Sequence, residues 1–182
     1  FVVKTIVTSM MPDAIAEHYG VKCYNCLTGF KYIAKIIREQ EGKTKYIGGG
    51  EESFGYLAGD YVRDKDGVSA ITLVAEAAAW ARETMGITLY EWLQQLYVKY
   101  GFYREGLVNV VRKGKDGAAE IQQMMVDYRQ NPPKSILGSP IVKILDYKTL
   151  EEINTATGER KAIEGAAHAA AGVHHRRREQ AH

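Results

Sequence analysis

Alternating β-branched runs and amphipathic stretches predict strands and helices in turn along the first part of the chain. Val2 to Thr8 is a β-branched run, and Val21 to Cys26 is a second strand-like segment. Between them, Pro12 to Tyr19 predicts a short helix with proline near its start, and Gly20 follows its end. A strand, a helix and a strand in this order indicate a parallel pair joined by a crossover.

A third strand and helix follow the same scheme. Thr28 is predicted to cap a helix that Gly42 ends, and Lys45 to Gly48 predicts a short strand before a glycine-rich loop. The apolar stripe of this helix comprises Phe30, Ile33, Ala34, Ile36 and Ile37. We therefore predict an α/β fold: a three-layer domain with a mostly parallel sheet of about four strands flanked by helices, plus a C-terminal extension.

Two further helices are marked by their capping residues. Asp66 is a plausible cap for a helix from Gly67 to about Met85, whose few polar positions predict that it is largely buried. Thr88 and Glu91 have the spacing of a capping box, and Gly101 is the expected stop of the second helix.

The hydrophobic periodicity after Gly101 is weaker than in the first part of the chain. It predicts a strand from Tyr103 to Arg112, a helix from Ala118 to Arg129, a break at Pro132 and Pro133, and a strand from Ile141 to Leu145. Asn131 to Pro140 has the composition of a linker, so the chain is expected to be part of a longer protein.

Composition narrows the class of protein. The chain has 182 residues with 46% hydrophobic and 25% charged residues, which suits one domain with a sizeable core. It has no run of about 18 apolar residues, and its first residues lack the features of a secretory signal. These observations predict a cytoplasmic protein with no membrane association.

The net charge of +2 belongs to the last 18 residues, which hold three arginines and one glutamate. The rest of the chain has 21 basic and 21 acidic residues, so no excess of positive charge favours a nucleic acid. Residues 165–182 also contain four histidines and no apolar periodicity. We expect them to form a disordered tail of expression-vector origin.

The segment Gly48-Gly49-Gly50-Glu51-Glu52-Ser53-Phe54-Gly55 is the strongest functional clue. Glycines allow left-handed backbone and close approach to a ligand, while a carboxylate and a hydroxyl together accept from and donate to a polyol. The carboxyl ends of parallel strands meet at one sheet edge, which predicts that Ser9, Thr28, Glu51 and Ser53 emerge together. A solvated glycine-rich turn is the alternative.

Two neighbouring residues are weaker candidates when taken alone. Thr28 precedes a helix start that can hold a phosphate or hydroxyl, although an ordinary cap explains it as well. Lys65 can offer a cation or a proton to a reacting oxygen, but its charged surroundings are also typical of a solvated loop.

The sequence fits a redox, zinc, dinucleotide or calcium site less well than a sugar site. Cys23-Tyr24-Asn25-Cys26 has redox-motif spacing, but on a strand its two thiols point to opposite faces. The two cysteines and His18 fall short of a four-ligand zinc site. The glycines do not complete a dinucleotide fingerprint, and the acidic residues near Gly67 lack calcium-loop spacing.

Four segments, in this order, resemble the third domain of the α-D-phosphohexomutases, the phosphoglucomutase/phosphomannomutase family. The resemblance covers about residues 2 to 150 and depends on these strings: Val3-Lys4-Thr5-Ile6-Val7-Thr8-Ser9, Leu27-Thr28-Gly29-Phe30-Lys31-Tyr32-Ile33, Gly50-Glu51-Glu52-Ser53-Phe54-Gly55 and Arg63-Asp64-Lys65-Asp66-Gly67. It implies that Glu51 and Ser53 bind the 3- and 4-hydroxyls of a hexose phosphate. By the same resemblance, Thr28 is a substrate contact and Lys65 the catalytic general acid/base.

The resemblance also implies a parent enzyme that interconverts hexose 1-phosphate and hexose 6-phosphate, of glucose or mannose, through a phosphoserine and a bisphosphate. The family's phosphoserine, metal and C-terminal phosphate loops have no counterpart in this sequence. We therefore expect Mg²⁺ to be bound elsewhere in the parent and the isolated chain to be inactive. A free-standing sugar-phosphate binding module and, less favoured, a redox domain are the alternatives.

The resemblance suggests domain limits as well. Residues 1–150 are assigned to the sugar-binding domain and 151–164 to the start of a linker toward a C-terminal domain. The expected partners are a hexose phosphate and neighbouring domains of the same polypeptide.

Overall fold

A computed structural model describes residues 1–53, 55–106 and 110–163. The predictions for the tail at 165–182 fall outside these residues. The chain divides into two compact units, 1–104 and 105–163, and each is described by itself. None of the helices in the described ranges is long and apolar enough to cross a membrane.

The first unit is an α/β structure with a mixed four-stranded sheet, as the sequence predicts. The strand order is β2-β1-β3-β4; β1 is parallel to both β2 and β3, and β4 is antiparallel to β3. Its elements are β1 (Val2–Thr5), α1 (Met11–His18), β2 (Cys23–Cys26), α2 (Phe30–Gln40), β3 (Gly48–Gly50), β4 (Tyr56–Ala58), α3 (Gly67–Met85) and α4 (Leu89–Tyr100).

Alternation along β1 directs its side chains to two different helices. Val3 and Thr5 are fully buried on the face that packs against α2, where Ile33 is also fully buried. Lys4 points to the other face and forms an ion pair with Asp13 of α1, with Nζ and Oδ2 2.9 Å apart. The sheet therefore lies between α1 and α2, which confirms the predicted three layers. The remaining core residues are Phe1, Cys26, Phe30, Ile36, Ile37, Tyr46 and Leu57.

The prediction of a strand from Lys45 to Gly48 followed by a glycine loop is wrong, because the three glycines are themselves strand β3. None of them has a positive φ. A Cβ atom on Gly49 would lie 2.0 Å from the carbonyl oxygen of Val3, so the neighbouring strand β1 excludes any side chain there. The glycine run serves sheet packing rather than a left-handed loop.

Helix α3 has the predicted limits but not the predicted burial. The Asp66 side chain accepts hydrogen bonds from the backbone N–H groups of Val68 and Ser69, which confirms the cap. Ala81 is buried, whereas Val68 and Ile71 are 74% and 72% exposed. A helix that is apolar all round is buried only when other elements pack against every face. Among the described residues, other elements cover only part of the surface of α3. Helix α4 has its capping box at Thr88 and Glu91, as predicted.

The second unit contains one helix and short antiparallel strands. Its elements are α5 (Gly114–Gln130), β5 (Ser135–Ile136), β6 (Ser139–Pro140), β7 (Lys143–Asp146), β8 (Glu151–Asn154) and β9 (Arg160–Ala162). Helix α5 begins four residues before the predicted start. The predicted linker contains the β5-β6 hairpin, and the predicted last strand is β7, shifted by one to two residues.

The predicted strand from Tyr103 to Arg112 is not found where the chain is described, because residues 103–106 and 110–112 have no strand structure. Residues 107–109 lie outside the described ranges. Strand propensity depends on a pairing neighbour, and these described residues pair with no strand.

We predict that Ile33→Ala destabilises the chain far more than Ile71→Ala. Both are isoleucines in helices, but Ile33 is fully buried and Ile71 is 72% exposed. The first substitution should lower the free energy of unfolding by about 2 to 5 kcal/mol, the second by less than about 1 kcal/mol. Urea unfolding followed by circular dichroism measures both. Equal losses would contradict the described core.

Candidate functional site

Glu51, the first residue after β3, lies where the sheet meets the start of α2. Its side chain is only 8% exposed. The Oε1 atom accepts a hydrogen bond from the backbone N–H of Gly29, the residue before α2, with a distance of 2.6 Å. A carboxylate at a helix start is favoured by the free N–H groups and the positive end of the helix dipole.

The second oxygen of Glu51 binds Lys65. The Lys65 ammonium group donates to Glu51 Oε2 and also to the backbone carbonyl oxygen of Ser53, at 3.2 Å in the latter case. Lys65 is 20% exposed, so this ion pair is partly shielded from water. The structure therefore brings together Glu51, Ser53 and Lys65, three of the four predicted site residues.

Thr28 is the fourth predicted residue, and its predicted role as a helix cap is wrong. Helix α2 begins at Phe30, and its N-cap residue is Gly29, which has no side chain to cap the helix. The Glu51 carboxylate instead accepts from the N–H of Gly29, immediately before the helix. Thr28 is exposed and directly precedes Gly29, so its backbone lies next to this contact.

Two hydroxyl groups in the cluster are open to a ligand. Among the described residues, no hydrogen-bond partner is found for the side chains of Thr28 or Ser53, and Ser53 is half-buried. A hydroxyl group without a protein partner can donate one hydrogen bond and accept two. Ser9 differs, because its hydroxyl accepts from the Met11 N–H at the start of α1.

Glu52 makes a contact that sequence reasoning missed. Its Oε2 atom lies 2.9 Å from the hydroxyl of Thr5, the last residue of β1. A hydroxyl-bearing residue at the end of the neighbouring parallel strand was the signal available in the sequence. Thr5 lies inside the β-branched run from Val2 to Thr8, so the sequence alone does not mark it as the end of the strand.

The segment before α3 is held by further contacts that fix the position of Lys65. Gly55 has a φ of +119°, and a Cβ atom there would lie 2.8 Å from the backbone carbonyl of Asp66. The Asp66 N–H donates to the Tyr56 carbonyl at 3.3 Å, and Arg63 binds Glu41 at 2.9 Å. Only a glycine at position 55 lets β4 pass so close to this segment.

The two cysteines do not have the properties of a redox pair. Burial is the main cause that raises the pKa of both Cys23 and Cys26 to about 12, whereas a reactive thiolate requires a lowered pKa. Cys26 belongs to the core on the α2 side of the sheet, and Cys23 lies on the α1 side. In the described ranges, no group of three His, Cys, Asp or Glu residues is placed to hold a metal ion.

An apolar cavity of about 730 Å³ lies between α1 and the sheet, on the face opposite α2. Val2, Ile15 and Ile47 are among its lining residues. Its one charged lining residue, Lys4, is already paired with Asp13. A sugar needs converging hydrogen-bonding groups, so the cluster around Glu51 is the better candidate site.

Residues 1–100 match the family model described as phosphoglucomutase/phosphomannomutase, alpha/beta/alpha domain III. The chain is 33% identical over 150 residues to a phosphoglucomutase of Staphylococcus haemolyticus (strain JCSC1435). It is 35% identical over 149 residues to a phosphoglucomutase of Staphylococcus aureus (strain N315). Each alignment covers 82% of this chain and 27% of the relative, so the chain spans about a quarter of their length.

A solved structure shares the fold. The exocytosis-sensitive phosphoprotein pp63/parafusin, a phosphoglucomutase from Paramecium in its open form, matches with a TM-score of 0.54 and 19% sequence identity. The match covers 88% of this chain and 27% of that chain.

We predict that both thiols react slowly in the folded chain. At pH 8, a pKa of about 12 leaves about one thiolate in ten thousand, against about one in four for an ordinary cysteine. Labelling with a chromogenic disulfide should be at least about a hundredfold slower before than after unfolding in urea. The chain has two cysteines, so the absorbance reports only these. Rapid labelling of the folded chain would favour the redox hypothesis instead.

Proposed function

The chain belongs to the phosphoglucomutase/phosphomannomutase family as its domain III, and from this membership we propose that it recognises the sugar of a hexose phosphate. The observation that supports this proposal best is the cluster of Glu51, Ser53 and Lys65, with Thr28 beside it. The cluster combines a carboxylate, an ammonium group and two hydroxyls at one edge of the sheet. These are the groups that bind a polyol.

We assign a role to each residue. Glu51 and Ser53 bind the 3- and 4-hydroxyls of the hexose, and Thr28 is a further substrate contact. Glu51 retains lone pairs beyond those used by Gly29 and Lys65, so it can accept from a sugar hydroxyl. Ser53 can donate to or accept from the neighbouring hydroxyl.

Lys65 is the proposed general acid/base. Its ammonium group contacts Glu51 Oε2, so a sugar oxygen that binds Glu51 comes close to this proton donor. Proton transfer requires a donor within hydrogen-bond reach of the reacting oxygen, and the Glu51 contact supplies that proximity. The same contact places a positive charge beside a developing negative oxygen.

The parent enzyme is proposed to interconvert hexose 1-phosphate and hexose 6-phosphate, of glucose or mannose, through a phosphoserine and a bisphosphate intermediate. Such a reaction requires the substrate to bind in two orientations. A carboxylate and a hydroxyl can pair with the same vicinal diol from either direction, so the proposed contacts suit both.

The other parts of that reaction are assigned to neighbouring domains of the same polypeptide. The metal loop of the family has no counterpart in this sequence, so the metal of the parent enzyme is proposed to bind outside this chain. The domain limits of 1–150 and 151–164 and a cytoplasmic location stay predictions. A free-standing binding module for sugar phosphates is the second candidate, since all four site residues lie within one compact unit.

We predict that glucose 1-phosphate shifts the backbone amide signals of Thr28, Gly29, Glu51, Ser53 and Lys65 in a ¹⁵N-labelled chain. Glu51→Ala should weaken this binding at least about tenfold, because a lost hydrogen bond to a charged group costs about 1.5 to 3 kcal/mol. Glu120→Ala is the control, since Glu120 pairs with Arg112 and both residues belong to the second unit.

Two results would count against the proposal. Shifts confined to residues 105–163, or none at all, would contradict sugar recognition by this cluster. Turnover of glucose 1-phosphate by the isolated chain would contradict the assignment of the phosphoryl-transfer groups to other domains.

A further inference from the structure

We propose that Glu52 is a positioning residue for the sugar-reading segment 51–53 and that it acts through the buried hydroxyl of Thr5. This inference rests on the proposed function, because it concerns how the same segment is held for its ligand. Glu52 itself touches no proposed sugar group. Its effect is exerted on the backbone between Glu51 and Ser53.

The Thr5 hydroxyl is the middle of a short chain of two hydrogen bonds. Thr5 is fully buried, and its Oγ1 atom lies 2.9 Å from Glu52 Oε2 and 3.0 Å from Thr8 Oγ1. An ionised carboxylate only accepts hydrogen bonds, so Thr5 donates to Glu52 and accepts from Thr8. Each bond in such a chain polarises and strengthens the next.

Glu51 and Glu52 are consecutive residues that hold the segment to different parts of the fold. Glu51 binds the start of α2 and Lys65, whereas Glu52 binds the end of β1. Ser53 follows directly, and its carbonyl oxygen binds Lys65. The backbone that presents the Ser53 hydroxyl is therefore fixed on both sides.

The energetic role of the Thr5 hydroxyl is local rather than global. Valine has the shape of threonine without the hydroxyl, so Thr5→Val keeps the packing of this strand position. Glu52 is exposed and Thr8 half-buried, so water can satisfy both groups once the Thr5 hydroxyl is gone. Segment 51–53 loses its hydrogen bond to β1, while the hydrophobic core is unchanged.

The Thr5–Glu52 hydrogen bond matters for ligand binding because hydrogen bonds to a ligand depend steeply on distance and angle. A segment that moves by about 1 Å no longer places two groups on adjacent sugar hydroxyls together. The contact is therefore expected to act on ligand affinity and on the exchange of the segment's amides, with little effect on overall stability.

The test compares the wild-type chain with Thr5→Val, Thr5→Ser, Glu52→Ala and the Thr5→Val/Glu52→Ala double variant. Three quantities are measured: the thermal unfolding midpoint, hydrogen exchange of the amides at 51–53, and the Kd for glucose 1-phosphate by NMR titration. Thr72→Val is the matched control, because its hydroxyl binds the Val68 carbonyl within α3, away from the segment.

Thr5→Val and Glu52→Ala should each raise the Kd about five- to tenfold and speed the exchange at 51–53 by a similar factor. The double variant should add little, since both changes remove one interaction. Thr5→Ser keeps the hydroxyl and should therefore keep the wild-type affinity. Thr72→Val should change neither the Kd nor the exchange.

The outcomes separate this inference from the proposed function. Wild-type binding with unchanged Kd and exchange in Thr5→Val overturns the positioning role alone. Losses in the two single variants that add in full, or that only follow a lowered unfolding midpoint, overturn it too. A wild-type chain with no response to glucose 1-phosphate overturns the proposed function, and the inference falls with it.

Discussion

The first unit depends on one carboxylate that is almost withdrawn from water. Glu51 is 8% exposed, and a charge in such a place is tolerated only with partners for its oxygens. One oxygen takes the Gly29 N–H and the other the Lys65 ammonium group. The segments that contain Gly29, Glu51 and Lys65 are therefore held together at this carboxylate.

The surrounding fold makes that meeting possible. Parallel pairing of β1 with β2 and β3 brings the ends of these strands to one edge, and α2 begins there as well. Gly49 allows β1 and β3 to approach, and Gly55 allows β4 to pass the segment that contains Lys65. The glycines set the geometry of the sheet, while the ligand groups come from the residues between them.

Much of this arrangement can be predicted from the sequence. The strand and helix order follows from local hydrophobic periodicity, and the start of α3 follows from its Asp66 cap. The meeting of Glu51, Ser53 and Lys65 could be expected from parallel topology together with the family resemblance. These features depend on short-range patterns or on a general rule of chain topology.

Features that depend on contacts between residues distant in sequence differ from the prediction. The glycine run is a strand because of its register with β1. Thr28 is no cap because the N-cap position of α2 is Gly29, whose N–H is bound by Glu51 from another segment. The Thr5–Glu52 contact likewise joins residues 47 positions apart. Local sequence cannot reveal such contacts, since each requires knowing which strands are neighbours. The exposure of α3 has the same origin, because burial depends on what packs against it.

The Glu51 carboxylate binds the Lys65 ammonium group across the candidate site. A double-mutant cycle with Glu51→Gln and Lys65→Met, measured by urea unfolding, tests this ion pair. Because both side chains are largely shielded from water, we predict a coupling free energy of about 1 kcal/mol or more. Effects that add to within about 0.3 kcal/mol would show that the two residues do not interact and that Glu51 does not bind Lys65 in the folded chain.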